Sequence, residues 1–191
     1  MHKKIQWITQ TAMLLALLIC LQWAGSMISV PLVKQLITGT CVNCVLAIAV
    51  LYTGWSSGIT IALVSPIFAF LLGIAPNFVT VLPIMIGNSC FVALLRGIAG
   101  KTGRPVWRQP VALVAAASVK FGVLYILVVK IVCGVAAEDL LGKKVGSWVV
   151  LAAPMLNMLP TMFAWPQLVT ALTGGAIALL ILPIIRKIPT P

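Results

Sequence analysis

Long apolar runs broken by short polar turns set the pattern of this chain, and six of them can be read as membrane-crossing helices. The first runs from about Ile5 to Ile28 and the second from about Leu36 to Tyr52. The turn TGWSSG leads into the third, about Ile59 to Ile74, which ends at Ala75-Pro76-Asn77, a turn signal. The fourth covers about Val79 to Ile98, and the polar loop GKTGRPVWRQP follows. The fifth runs from about Val111 to Cys133, and the sixth from about Trp165 to Ile185. A spanning helix needs about 20 apolar residues, so 191 residues hold six or seven spans with short loops.

Val145–Ala164 is apolar enough for a seventh span, but Pro154 and Pro160 interrupt it and Pro166 follows. Proline removes a helical hydrogen bond that lipid does not replace. The stretch is therefore read as an apolar external cap, either re-entrant or a surface helix. Charge agrees. With six spans, one side holds Lys3, Lys4, Arg96, Lys101, Arg104, Arg108, Arg186 and Lys187, and the other holds Lys34, Lys130, Lys143 and Lys144. The richer side is cytoplasmic by the positive-inside rule, and a seventh span would move Arg186 and Lys187 outside. The expected fold is an all-α membrane protein. It is a compact bundle of six transmembrane helices with both termini cytoplasmic, forming a single domain over residues 1–191.

Composition supports the bilayer and excludes other classes. The chain is 62% hydrophobic and 8% charged. A soluble domain of this length cannot hide so much apolar surface. The net charge of +11 would suggest nucleic acid in a soluble protein; here the basic residues cluster at segment ends and read as topogenic. The basic start MHKKIQW resembles a signal peptide, with a small-x-small site at Ala24 to Ser26. The apolar run after it is longer than a signal core, so an uncleaved first helix is expected.

The chain has only two acidic residues, Glu138 and Asp139, and neither lies in a spanning segment. Lys120 sits near the middle of the fifth segment, twelve residues or about 18 Å from Arg108. A lysine at that depth costs roughly 3 kcal/mol to insert, and it is too deep to snorkel easily. Three readings are open: it is neutral or bonded to backbone carbonyls, it faces an aqueous cavity in a structural role, or it meets an anionic group on a ligand. Asn43, Asn88 and Gln167 are the other strong hydrogen-bonding groups near membrane depth. Helix–helix contacts account for each, but with Lys120 they also suit the few polar anchors of an apolar small-molecule pocket. Trp148 and Trp165 suit an interfacial belt or a stack against a ligand ring.

Small residues four apart let helices approach closely. Ala12 and Ala16 form such a pair, as do Gly54, Gly58 and Ala62, Gly174 and Ala178, and Ala171 and Gly175. Each serves either internal packing or the docking of another membrane subunit. Cys41-x-x-Cys44 is a dithiol pattern, which admits a membrane thiol oxidoreductase, but no basic group nearby would activate it. Cys20, Cys90 and Cys133 are scattered and read as apolar filler. There is no phosphate-binding Gly-x4-Gly-Lys-Ser/Thr motif and no histidine cluster; His2 is the single histidine. No metal, cofactor or catalysis is expected. Without a motor or an evident ion site, the chain reads as a binding component that draws its energy from partners.

The order of these features resembles the substrate-binding S components of energy-coupling-factor (ECF) transporters, which import vitamins and related micronutrients. The resemblance rests on Ala12-x-x-x-Ala16, on the run Thr38–Phe78 followed by Pro83 and Gly87-Asn88, and on Phe163–Gly175. It implies a multi-pass protein of the bacterial cell membrane that is not an enzyme. A small-molecule micronutrient, anionic if Lys120 is a ligand, would bind in a pocket open to the outside. The substrate-binding candidates are Asn43, Asn88, Lys120, Trp165 and Gln167. The resemblance further implies that Ala12 and Ala16 dock a membrane coupling subunit, which works with two ATPases to energise import by an ABC-type mechanism. A small stand-alone permease is the remaining alternative.

Overall fold

The computed structural model describes residues 2–75, 77–100, 107–146 and 148–187. Helix α1 spans His2–Ser26. Helix α2, Pro31–Ile48, widens into a π-helical turn at Ala49–Thr53. Helix α3 covers Trp55–Leu71, and a 3₁₀ turn at Phe78–Thr80 leads into α4, Val81–Ala99. Helix α5, Arg108–Leu124, continues as a π-helical segment through Tyr125–Val135. A short α6, Ala137–Leu140, precedes an antiparallel pair of strands, β1 (Lys144–Val145) and β2 (Trp148–Val149). Helices α7, Ala153–Phe163, and α8, Trp165–Ile185, complete the chain.

Five of these stretches are long and apolar enough to cross a membrane: Lys4–Ser26, Pro31–Thr53, Phe78–Ala99, Arg108–Val135 and Trp165–Ile185. The third expected span is shorter. Helix α3 is apolar but has 17 residues, about 25 Å at 1.5 Å per residue. Val145–Ala164 does not form a span. It divides into the strand pair and the 11-residue α7, about 16 Å long, which covers one end of the bundle. There Leu151, Leu159 and Phe163 pack with Val128 and Val132 of the π-helical segment in an apolar cluster separate from the main core.

Prolines explain where the helices begin and break. Pro31, Pro154 and Pro166 each stand in a first helical turn, where the missing N–H is no loss. Pro166 also separates α7 from α8. A continuous helix would pair residue 166's N–H with the Met162 carbonyl, and proline has none to give. That carbonyl instead accepts the Gln35 side-chain amide at 2.6 Å and the Gln167 amide at 3.3 Å. The break thus becomes a polar tie between α7 and both α2 and α8.

Small residues set the helix spacing. A Cβ added at Gly174 would meet the Thr40 carbonyl and come within 2.9 Å of Asn43 Cβ and the Cys44 nitrogen, so α8 lies directly against the α2 backbone. Gly58 is confined likewise by Val50 and Val92, each 2.8 Å from such an atom, and Gly175 by Leu113. Ala62, Ala171 and Ala178 are buried beside these glycines. Ala12 and Ala16 are the exception: both are exposed on α1. Many of the other outward-facing apolar side chains are large; Leu180 is 75% exposed and Ile184 65%. Such surface suits acyl chains rather than water.

At the end of the bundle opposite α7, arginines close the helix termini. Arg96 donates to the Gly100 carbonyl, Arg108 to Ile98 and Arg186 to Leu51. Lys101 and Arg104, counted on the same side from sequence, lie outside the described residues.

Gly174→Val should lower thermal stability in detergent by roughly 1–3 kcal/mol, the usual cost of overpacking a tight contact. Gly97→Ala, at an exposed helical position with open space beside it, should be neutral or stabilising by up to ~1 kcal/mol. Equal losses in the two variants would contradict the close α2–α8 approach.

Candidate functional site

A lysine in the interior of a membrane protein must find acceptors, because lipid supplies none. Lys120 on α5 is 3% exposed. Its Nζ donates to Asn43 Oδ1 on α2 at 2.6 Å and to Asn88 Oδ1 on α4 at 2.7 Å. The ammonium also lies 5.5 Å from the centre of the Phe91 ring, which sits one turn after Asn88. Its partners are thus two side-chain amides, rather than backbone carbonyls or a carboxylate. Glu138 and Asp139 stand apart, exposed on α6.

The ammonium fixes how each amide faces. A cation with three N–H donors and no acceptor must meet the amide oxygens, so both NH₂ groups turn away. The Asn43 NH₂ has uses there: it donates to the Gly39 carbonyl at 2.8 Å and lies 3.5 Å from Thr170 Oγ1. The Asn88 NH₂ is buried and has no partner among the described residues. Of the other buried groups without a partner among the described residues, Gln22 Oε1 on α1 and Ser65 Oγ on α3 belong to side chains that border the same space. An unpaired buried polar atom costs about 1–3 kcal/mol. Three of them around one space therefore constitute a substantial unmet demand.

That space is a cavity of about 400 Å³. It is bounded by the C-terminal end of α1, the first half of α2, the end of α3, the start of α4, Lys120, and α7 with the start of α8. Asn43, Asn88, Lys120, Gln22 and Ser65 all line it. Its apolar walls include Val42, Pro66, Ile74, Ile84 and Phe163. Met155, Met158 and Met162, spaced three and four apart, present one face of α7 to it. Thioether side chains are unbranched and repack easily around a ligand. Lys34 and the glutamines that hold the Met162 carbonyl also line the cavity.

Of the residues singled out from sequence, Asn43, Asn88, Lys120 and Gln167 thus converge on one cavity. Trp165 does not line it; the side chain is 53% exposed at the first turn of α8. Trp148 packs on Phe70, ring centres 4.9 Å apart, and is likewise absent from the lining. Sequence reading passed over Gln22 and Ser65. Gln22 carried a usable signal, being a strong hydrogen-bonding side chain inside the first apolar run. Cys41 and Cys44 are half-buried free thiols outside the lining. Among the described residues no group of His, Cys, Asp and Glu is arranged to hold a metal ion.

No match was found among curated proteins or among solved structures. The family model described as "ECF transporter, substrate-specific component" matches residues 6–186, nearly the whole chain. Members of that family are transport subunits that partner with ECF coupling and ATPase subunits and take a small-molecule substrate. Together with its apolar helices, the match makes this chain a multi-pass membrane protein that belongs to the substrate-specific components of ECF transporters.

Proposed function

We propose that this chain is the substrate-binding S component of an ABC-type vitamin or micronutrient importer in the bacterial cell membrane, and that the cavity beneath α7 is its substrate site. The observation that carries this is that three side chains with buried, unpartnered polar atoms line one cavity together with Lys120. A cavity of this size with apolar walls and a few converging polar groups has the make-up of a small-molecule site. The substrate completes hydrogen bonds that the protein leaves open. The chain has no catalytic role and no energy source of its own; a coupling subunit and two ATPases provide the work.

On this reading all of residues 1–191 form one membrane domain of six spans, with α3 as the short third span. Both termini are cytoplasmic. The arginines that close the helix ends opposite α7 support this orientation, because positive charge is retained on the cytoplasmic side. The cavity then faces outward. Ala12 and Ala16 form the docking stripe for the coupling subunit. Their exposure supports the assignment, since the other small-residue pairs are largely used inside the bundle.

Co-expressed with coupling and ATPase subunits, the chain should co-purify with them. Ala12→Trp together with Ala16→Trp should reduce that recovery strongly while leaving ligand retention intact. Mass spectrometry of gently purified protein should reveal a retained small organic molecule. Lys120→Met should weaken its binding about tenfold or more, the worth of one hydrogen bond to a charged group. Unchanged affinity would remove Lys120 from the site, and failure to associate with any coupling subunit would overturn the transport reading.

A further inference from the structure

We propose that the ligand is an organic acid carrying a carboxylate on a largely apolar body, and that it binds with the carboxylate against Lys120 and Asn88. This rests on the reading of the cavity as the substrate site.

The sign of the charge follows from the lining. Lys34 and Lys120 are its charged residues, and no acid lines it. The Lys120 ammonium is held by two neutral amides, which solvate a charge without neutralising it. A cationic ligand would add like charge to a site of low dielectric, whereas an anion completes an ion pair there.

The shape of the anionic group follows from the unused donors. Two of the three ammonium protons are taken by Asn43 and Asn88, which leaves one. The Asn88 NH₂ is the second unused donor, on the residue that the ammonium itself orients. Two neighbouring donors match the two oxygens of a carboxylate. A phosphate ester is less well served: it carries up to two charges and more acceptor oxygens, and no arginine among the described residues lines the cavity.

The rest of the cavity limits the body of the molecule. The methionines of α7, with Ile74 and Ile84, offer no partner to a charge, so these walls take an apolar body, and Lys34 is the further counter-charge among the described lining residues. Gln22 Oε1 and Ser65 Oγ, on side chains 3% and 1% exposed, are the remaining buried atoms without a partner on the described lining residues. They suit an uncharged hydroxyl or amide N–H on the body.

The test uses the full chain in detergent and a panel of aromatic and alicyclic monocarboxylic acids, each paired with its methyl ester and with the corresponding primary amine. Calorimetry should show at least one acid binding about tenfold or more tightly than its ester, with no binding of the amine. Lys120→Met should erase the preference for acid over ester. If that variant does not fold, the comparison on the unaltered chain still decides. Esters or amines binding as well as the acids would overturn the proposal, and so would failure of every acid to bind. The cavity itself is judged separately. Met158→Trp, at a half-exposed lining position, should release whatever molecule co-purifies. Release of a neutral or cationic molecule would retain the cavity and discard the carboxylate; retention despite the tryptophan would discard the cavity.

Discussion

The bond from Lys120 to two asparagines is the constraint around which this bundle is arranged. It joins α5 to α2 and α4 at a depth where water cannot compensate a lost partner. An ammonium there must be solvated by the protein, and the chain contributes no spanning carboxylate to do it. The use of neutral oxygens has two effects. It meets the need of the cation for acceptors, and it keeps the positive charge available. A carboxylate in place of either asparagine would have closed the site electrostatically.

Close packing makes that bond possible. Asn43 lies where Gly174 brings α8 against α2, so the asparagine is held from behind while its oxygen faces α5. Gly87, just before Asn88, lets Leu124 of α5 approach to 2.9 Å of where a Cβ would be. Glycines beside both asparagines thus set the distances that a lysine side chain bridges. The stripe at Ala12 and Ala16 is exposed on α1, which sets it apart from the packing residues that look like it in sequence.

Much of this architecture was legible beforehand, and the parts that were not have physical reasons. Apolar runs located the long helices because lipid imposes one length and one polarity on them. Lys120, Asn43 and Asn88 stood out because strong polar groups are costly at membrane depth. Their mutual contact was not legible, since α2, α4 and α5 meet only after folding. Ser65 gave little warning: serine in a helix can bond its own backbone and so carries a weak signal. Trp165 reads from sequence as able to stack on a ligand ring, but it lies two positions from Gln167 on α8 and so points to a different face. The proline-rich stretch before α8 was recognised as something other than a span, but its strand pair left no readable pattern.

Helix α7 differs from every other wall of the cavity. The other walls belong to long helices packed along the bundle. Helix α7 is a short plate, bounded by the strand pair on one side and by the single residue Ala164 on the other. Its attachment consists of one apolar cluster and one carbonyl shared by two glutamines. The lysine bond and the glycine contacts lie outside this attachment. The floor of the cavity and its cover are thus built from different parts of the chain and held by different interactions.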